Sequence, residues 1–270
     1  MNARPAPLAP APRGVDDLKL AAAWGALAAL AVVALMPYLA QTMPERFARL
    51  PVPLGLVMAL QALQALVLIG AMAWLGLRMG HRVGLGSPVL RAWLITRTAP
   101  EWARLRPATS ALLGLGAGLA VVALSPLADH WLPPMAHPPA HLGAQVSAVN
   151  GALASFYGGI AEELQLRLFL MTLLVWSVAR LRKALPGAGV YWAAILVAAL
   201  LFGAGHLPTA AHVWGLTPGV VVRTLLLNGV AGIVFGWLYW RRGLEMAMLG
   251  HFCADLVLHV ATPLIGLVRP

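Results

Sequence analysis

Seven long apolar runs, at 18–40, 52–77, 110–128, 145–179, 189–207, 218–240 and 244–267, divide the chain, and short basic or Pro-containing stretches separate them. Six of them are close to the roughly 20 residues that an α-helix needs to cross a bilayer. The fourth is longer, and the pattern predicts a helix that is tilted, broken or partly re-entrant. Between the second and third runs, residues 78–106 alternate arginines with Trp93, Leu94, Ile95 and Trp102. That alternation reads as a helix lying in the interface, with a weakly hydrophobic eighth span as the alternative. The expected fold is all-α, a polytopic membrane bundle of about seven or eight transmembrane helices.

Composition agrees with this pattern. Of 270 residues 60% are hydrophobic and only 10% charged, and the mean hydropathy is +0.80. This is the profile of a multi-pass membrane protein, with no room for a separate soluble domain. A formal net charge of +10 would suit a nucleic-acid binder. Here the cations sit in clusters between apolar runs, so no nucleic-acid partner is expected. The clusters before run one, between runs two and three, after run four and after run six are alternate loops, and together they hold 14 of the 19 basic residues. By the positive-inside rule the N-terminus is cytoplasmic and, with seven spans, the C-terminus lies outside. Residues 1–17, rich in Pro and Ala, read as a disordered cytoplasmic tail. Residues 18–143 read as N-terminal spans with the interfacial segment. The lone Cys253 rules out an intramolecular disulfide.

Some polar residues stand where a span normally excludes them. Glu162, Glu163 and Arg167 interrupt the fourth run, and ionisable groups at a span's centre cost at least about 2.5 kcal/mol each on insertion scales. At 100° per residue, Glu163 and Arg167 lie about 40° apart on one face and can pair. Glu162 points about 100° from Glu163 and about 140° from Arg167, and is left free for another task. A buried ion pair that locks two helices is the plainer alternative. In the fifth run Phe202 and His206 are four apart, so ring packs beside imidazole. In the seventh, His251 and Asp255 are four apart, so the carboxylate can hold one ring nitrogen and fix the tautomer. His259 reads as a packing residue. Ionisable groups from three spans are expected to face inward and meet. Measured along straight helices from the cytoplasmic ends, however, Glu162 lies about 27 Å up, His206 about 22 Å and His251 about 10 Å.

In order, these residues spell EExxxR, FxxxH and HxxxD. The set resembles the CPBP or Abi family of intramembrane proteases, named for CAAX proteases and bacteriocin-processing enzymes and including the type II CAAX prenyl endopeptidases. The resemblance covers roughly residues 155–260, and it makes 144–270 the expected catalytic core. It implies that Glu162 is the general base that activates a water and that His206 shares the proton work. Glu163, Arg167 and Phe202 would support the site or bind substrate. His251 and Asp255 match a motif in which a histidine and usually an asparagine hold the oxyanion or the water. An ionised Asp cannot donate a hydrogen bond to an oxyanion, so Asp255 is expected to orient His251 instead. Leu168, where many relatives carry glycine, is a second departure.

The resemblance implies a peptide or membrane-protein substrate within the lipid bilayer. No cofactor and no metal ligand is expected. A zinc-dependent version ranks lower, because HExxH is absent and the histidines lack a chelating spacing. A non-enzymatic immunity or scaffold protein is the alternative from another class. A transporter ranks below both for want of an inverted repeat. The composition and the resemblance together suggest a bacterial inner membrane.

Overall fold

Each apolar run becomes a helix, because within lipid every backbone N–H and C=O must be satisfied inside its own segment. The computed structural model describes residues 14–266. Among the described residues seven helices are long and apolar enough to cross a membrane: Gly14–Thr42, Leu54–Gly80, Trp102–Asp129, Ala144–Arg182, Ala188–Trp214, Pro218–Arg242 and Leu244–Leu264. No strand occurs among the described residues. Of the expected tail, residues 1–13 lie outside the described residues. Gly14–Asp17 are not tail but the first turn of the first helix, where Asp16 and Asp17 complement the positive end of the helix dipole.

Local chemistry sets the helix ends. Pro107 and Pro218 open helices at the turn where a missing N–H costs nothing, and Thr217 Oγ1 accepts from Val220 N at 3.3 Å. Lys183 and Gly243, both at positive φ, end the fourth and sixth helices. In the fifth, Pro208 removes a backbone donor just after His206, and a short second helix, Leu207–Trp214, follows.

Residues 81–106 do not supply an eighth span. Their helical pieces, Pro88–Arg91, Ala92–Thr96 and Trp102–Leu105, are each a turn or so long. The segment folds back along the bundle's basic boundary, burying Val83, Leu85, Val89 and Leu105 and exposing Trp93, Leu94 and Trp102. Two buried carboxylates hold it. Asp17, fully buried, meets Arg91 at 2.5 Å, His81 at 2.9 Å and Arg78 at 3.6 Å. Glu245 accepts from Ser87 Oγ at 2.6 Å and Leu90 N at 2.8 Å, while Trp24 Nε1 donates to Ser87 Oγ at 3.2 Å.

The core is built from Leu20, Leu77, Leu164, Leu168, Met171, Ile195, Leu238 and Leu244. Small residues bring helices close. A methyl on Gly114 would overlap the Gly250 carbonyl, and one on Gly118 would come within 2.8 Å of Ala254 O, so this pair seats the third helix on the seventh. Gly232 and Gly236 play the same part between the sixth helix and Ala199 and Ile195 of the fifth. The outer faces carry exposed leucines and valines such as Leu60, Leu63, Val67, Leu112 and Leu119. A continuous apolar surface of that kind belongs against acyl chains.

Candidate active site

The fourth helix is continuous but not uniform. Over Tyr157–Glu162 and Leu164–Met171 its turns widen to i→i+5 hydrogen bonding, a feature frequent at functional sites. Wider turns change which residues share a face and lower the rise per residue, so Glu162 sits less far along the axis than an ideal helix would carry it. The seventh helix also starts deep. Leu244 is fully buried and its N–H donates to Gly86 O at 3.0 Å, beneath the interfacial segment.

As a result Glu162, His206 and His251 meet. Glu162 Oε1 lies 4.0 Å from His206 Nε2, and its Oε2 lies 3.8 Å from His251 Nε2. In each histidine the other ring nitrogen is already engaged. His206 Nδ1 lies 2.9 Å from the Phe202 carbonyl oxygen and so donates to it. His251 Nδ1 lies 2.8 Å from Glu163 Oε1, with the proton assigned to the ring. Both Nε2 atoms are thereby turned to one carboxylate. The two gaps are longer than a direct hydrogen bond and shorter than the about 4.6 Å that a water with bonds of about 2.8 Å would bridge at a tetrahedral angle, so a small opening admits that water. His206 is the more accessible of the two imidazoles, with 38% of its side chain exposed against 4% for His251.

Glu163 and Arg167 are both fully buried, with Oε1 3.2 Å from Nη1. Arg167 Nη2 also donates to Gly232 O at 3.1 Å, and its guanidinium lies over Phe202 at 5.0 Å and Phe235 at 5.5 Å. Phe202 packs edge-on to both His206 and His251. Phe235 stacks on the His251 ring, centroids 4.3 Å apart. The buried carboxylate, guanidinium and two phenyl rings thus fix the His251 imidazole from one side.

The expected role of Asp255 requires correction. Its Oδ1 is 3.7 Å from His251 Nε2, too far for a hydrogen bond, and the orienting carboxylate is Glu163. The reason is lateral packing. An i,i+4 neighbour on the same helix competes with a fully buried acid arriving from another helix, and the latter reaches Nδ1. Asp255 faces the same space from the other side, where a methyl on Gly158 would overlap its Oδ2 and come within 3.0 Å of His251 Nε2. His259, expected as packing, has Nε2 4.0 Å from Asp255 Oδ1 and its ring against Tyr38, with Nδ1 3.4 Å from the tyrosine hydroxyl. Sequence reasoning did not find Phe235, Gly158, Tyr38 or the Gly232 carbonyl. The adjacent glycines 158 and 159 just before the acid pair were the one readable sign. Among the described residues, no group of three or more His, Cys, Asp or Glu side chains is arranged to hold a metal ion.

Residues 144–257 match the family model described as type II CAAX prenyl endopeptidase Rce1-like. The match covers somewhat under half of the chain and contains Glu162, Glu163, Arg167, Phe202, His206, His251 and Asp255. No curated protein and no solved structure matches the chain.

Proposed function

We propose, from the premise that residues 144–257 carry a domain of the Rce1-like type II CAAX prenyl endopeptidase family, that the protein is an intramembrane endopeptidase in which Glu162 activates the attacking water. The observation that carries this reading is the approach of two Nε2 atoms, from two other helices, to within 4.0 Å of the Glu162 carboxylate. A water in that space donates one proton to Glu162 and points an oxygen lone pair at a peptide carbonyl. As the new C–O bond forms, Glu162 takes the proton and the carbonyl electrons move to its oxygen. Collapse of the tetrahedral intermediate breaks the C–N bond, and the proton held by Glu162 passes to the departing amine. His206 or His251, as an imidazolium that keeps its Nδ1 proton on Phe202 O or Glu163 and carries a second proton on Nε2, donates from Nε2 to the oxyanion. Positioned proton transfer of this kind contributes about 10²–10⁴-fold.

Glu163 acts through His251. By accepting from Nδ1 it leaves Nε2 facing the reacting atoms, and Arg167 balances its charge. Asp255 borders the same space, and Phe202 and Phe235 hold the rings. The substrate class is a membrane-associated or leader peptide whose scissile bond reaches this depth. The basic boundary, with Arg78, Arg82, Arg180 and Arg242, faces the cytoplasm by the positive-inside rule, so the N-terminus is cytoplasmic.

The test is cleavage of membrane-tethered and fluorogenic peptides by purified protein in nanodiscs, alongside Glu162→Gln and His206→Ala, with and without chelator. Cleavage that survives chelator and vanishes in both variants is expected. Cleavage that chelator abolishes and zinc restores would replace the glutamate reading with a metal one. No cleavage by folded protein across a broad library would favour a binding role.

A further inference from the structure

At the basic boundary the end of the second helix and the end of the fourth enclose a cleft of about 290 Å³, and Arg82, Trp176, Arg180, Lys183 and Leu185 line it with two alanines. Arg82, Arg180 and Lys183 form no ion pair among the described residues, and residues 1–13 and 267–270 contain no acidic side chain to supply one. Asp17, buried at the same boundary, is already shared by Arg78, His81 and Arg91. Lys183 ends the fourth helix at φ 51° and lines the cleft together with Arg180.

We propose that this cleft binds the phosphate headgroup of an anionic glycerophospholipid. Three unpaired cations around one cleft at a membrane boundary select a phosphate, and basic pockets between helices at such boundaries suit acidic headgroups. The rest of the lining selects a lipid over a soluble anion. Trp176 offers an indole at the interface, where tryptophan is favoured. Leu181 and Leu185, 84% and 78% exposed, lie beside the cations with no protein cover, and acyl chains would cover them. Ala179 and Ala184 leave room for the glycerol. This site stands apart from the Glu162 centre, so its test does not depend on proteolysis.

The experiment is thermal unfolding of the purified full chain in a neutral detergent, with dioleoylphosphatidylglycerol, dioleoylphosphatidylcholine or inorganic phosphate added. Phosphatidylglycerol is expected to raise the unfolding temperature by about 3 °C or more, in the manner of a ligand that binds only the folded state. The other two should leave it nearly unchanged. The triple variant Arg82→Gln, Arg180→Gln, Lys183→Gln should lose most of that rise, whereas Arg97→Gln with Arg104→Gln, exposed cations of the same boundary outside the cleft, should keep it. Native mass spectrometry of the single variant Lys183→Ser, with fewer retained phosphatidylglycerols than the parent, gives a readout that does not need the triple variant to fold. An equal effect of phosphatidylcholine, an equal loss in the control pair, or unchanged retention by Lys183→Ser would overturn the site. A rise with inorganic phosphate alone would show a soluble-anion site and overturn the lipid.

Discussion

The pair Glu163–Arg167 separates what holds the bundle together from what the bundle does. At 3.2 Å and an effective dielectric of about 20, the two charges attract by about 5 kcal/mol. Both are fully buried, and Glu163 Oε2 and Arg167 Nε and Nη1 have no hydrogen-bond partner among the described residues. Glu163→Gln leaves the guanidinium buried without its counter-charge, and breaking such a pair from one side costs about 3–5 kcal/mol. On the proposed mechanism the same change acts on cleavage by another route. A glutamine amide carries no charge to hold His251 as the imidazolium that donates from Nε2 in the proposed mechanism, and an amide replacing the carboxylate behind a catalytic histidine can cost about 10⁴-fold. Arg167→Met on top of Glu163→Gln removes the orphaned charge. Stability should then return to within about 2 kcal/mol of the parent, while turnover stays down by at least about 100-fold. The assays are unfolding in mixed micelles titrated with dodecyl sulfate, and peptide cleavage in nanodiscs. If Glu163→Gln unfolds within about 1 kcal/mol of the parent, the pair does not carry a buried charge. If the double variant regains turnover together with stability, Glu163 does not act through His251.

Other outcomes follow from single contacts. Gly158→Ala pushes a methyl onto Asp255 Oδ2 and to 3.0 Å from His251 Nε2; displacement of a reacting group by an ångström costs about 100-fold, so cleavage should fall by 10-fold or more, at about that order, with little change in the melting curve. Gly116→Ala, where nothing lies within 4 Å, should leave both unchanged. Gly114→Ala meets the Gly250 carbonyl, a backbone atom that cannot rotate away, and should destabilise the protein in a detergent melt by about 1–3 kcal/mol. Asp17→Asn removes the shared partner of Arg91, His81 and Arg78. Because those cations are partly exposed, the loss should be about 1 kcal/mol, and smaller at high salt than at low.

The sequence carried the helices more clearly than the site. Runs free of charge over some 20 residues have one stable form in lipid, and i,i+4 spacing is enough to place Arg167 beside Glu163 or Phe202 beside His206. Contacts between helices are set by packing, and no local pattern records them. His259 and Tyr38 are 221 residues apart; Phe235 stacks on a histidine of another helix and has no mark in its own neighbourhood. Asp255 shows how a local rule misleads: its spacing from His251 suits a hydrogen bond, yet its Oδ1 stays 3.7 Å from Nε2 while a buried acid from the fourth helix takes Nδ1. The widened turns near Glu162 were marked only by the adjacent Gly158 and Gly159, which weaken a helix without specifying the hydrogen-bond register it takes.

The fastening of Glu245 bears on modularity. This acid opens the seventh helix, inside the stretch 144–257 that bears the family's sequence, but its partners Ser87 and Leu90 lie far outside it. Gln41 of the first helix likewise bonds Asn150 and Ser147 at 2.9 Å each, and Gly76 of the second admits the Leu168 backbone. A fragment cut at residue 144 would keep every residue of the Glu162 centre and lose the framework that sets their heights. Residues 144–264 transplanted alone would lose these bonds, and are expected to need the preceding helices supplied, in the same chain or as a separate polypeptide, to hold the Glu162 centre together.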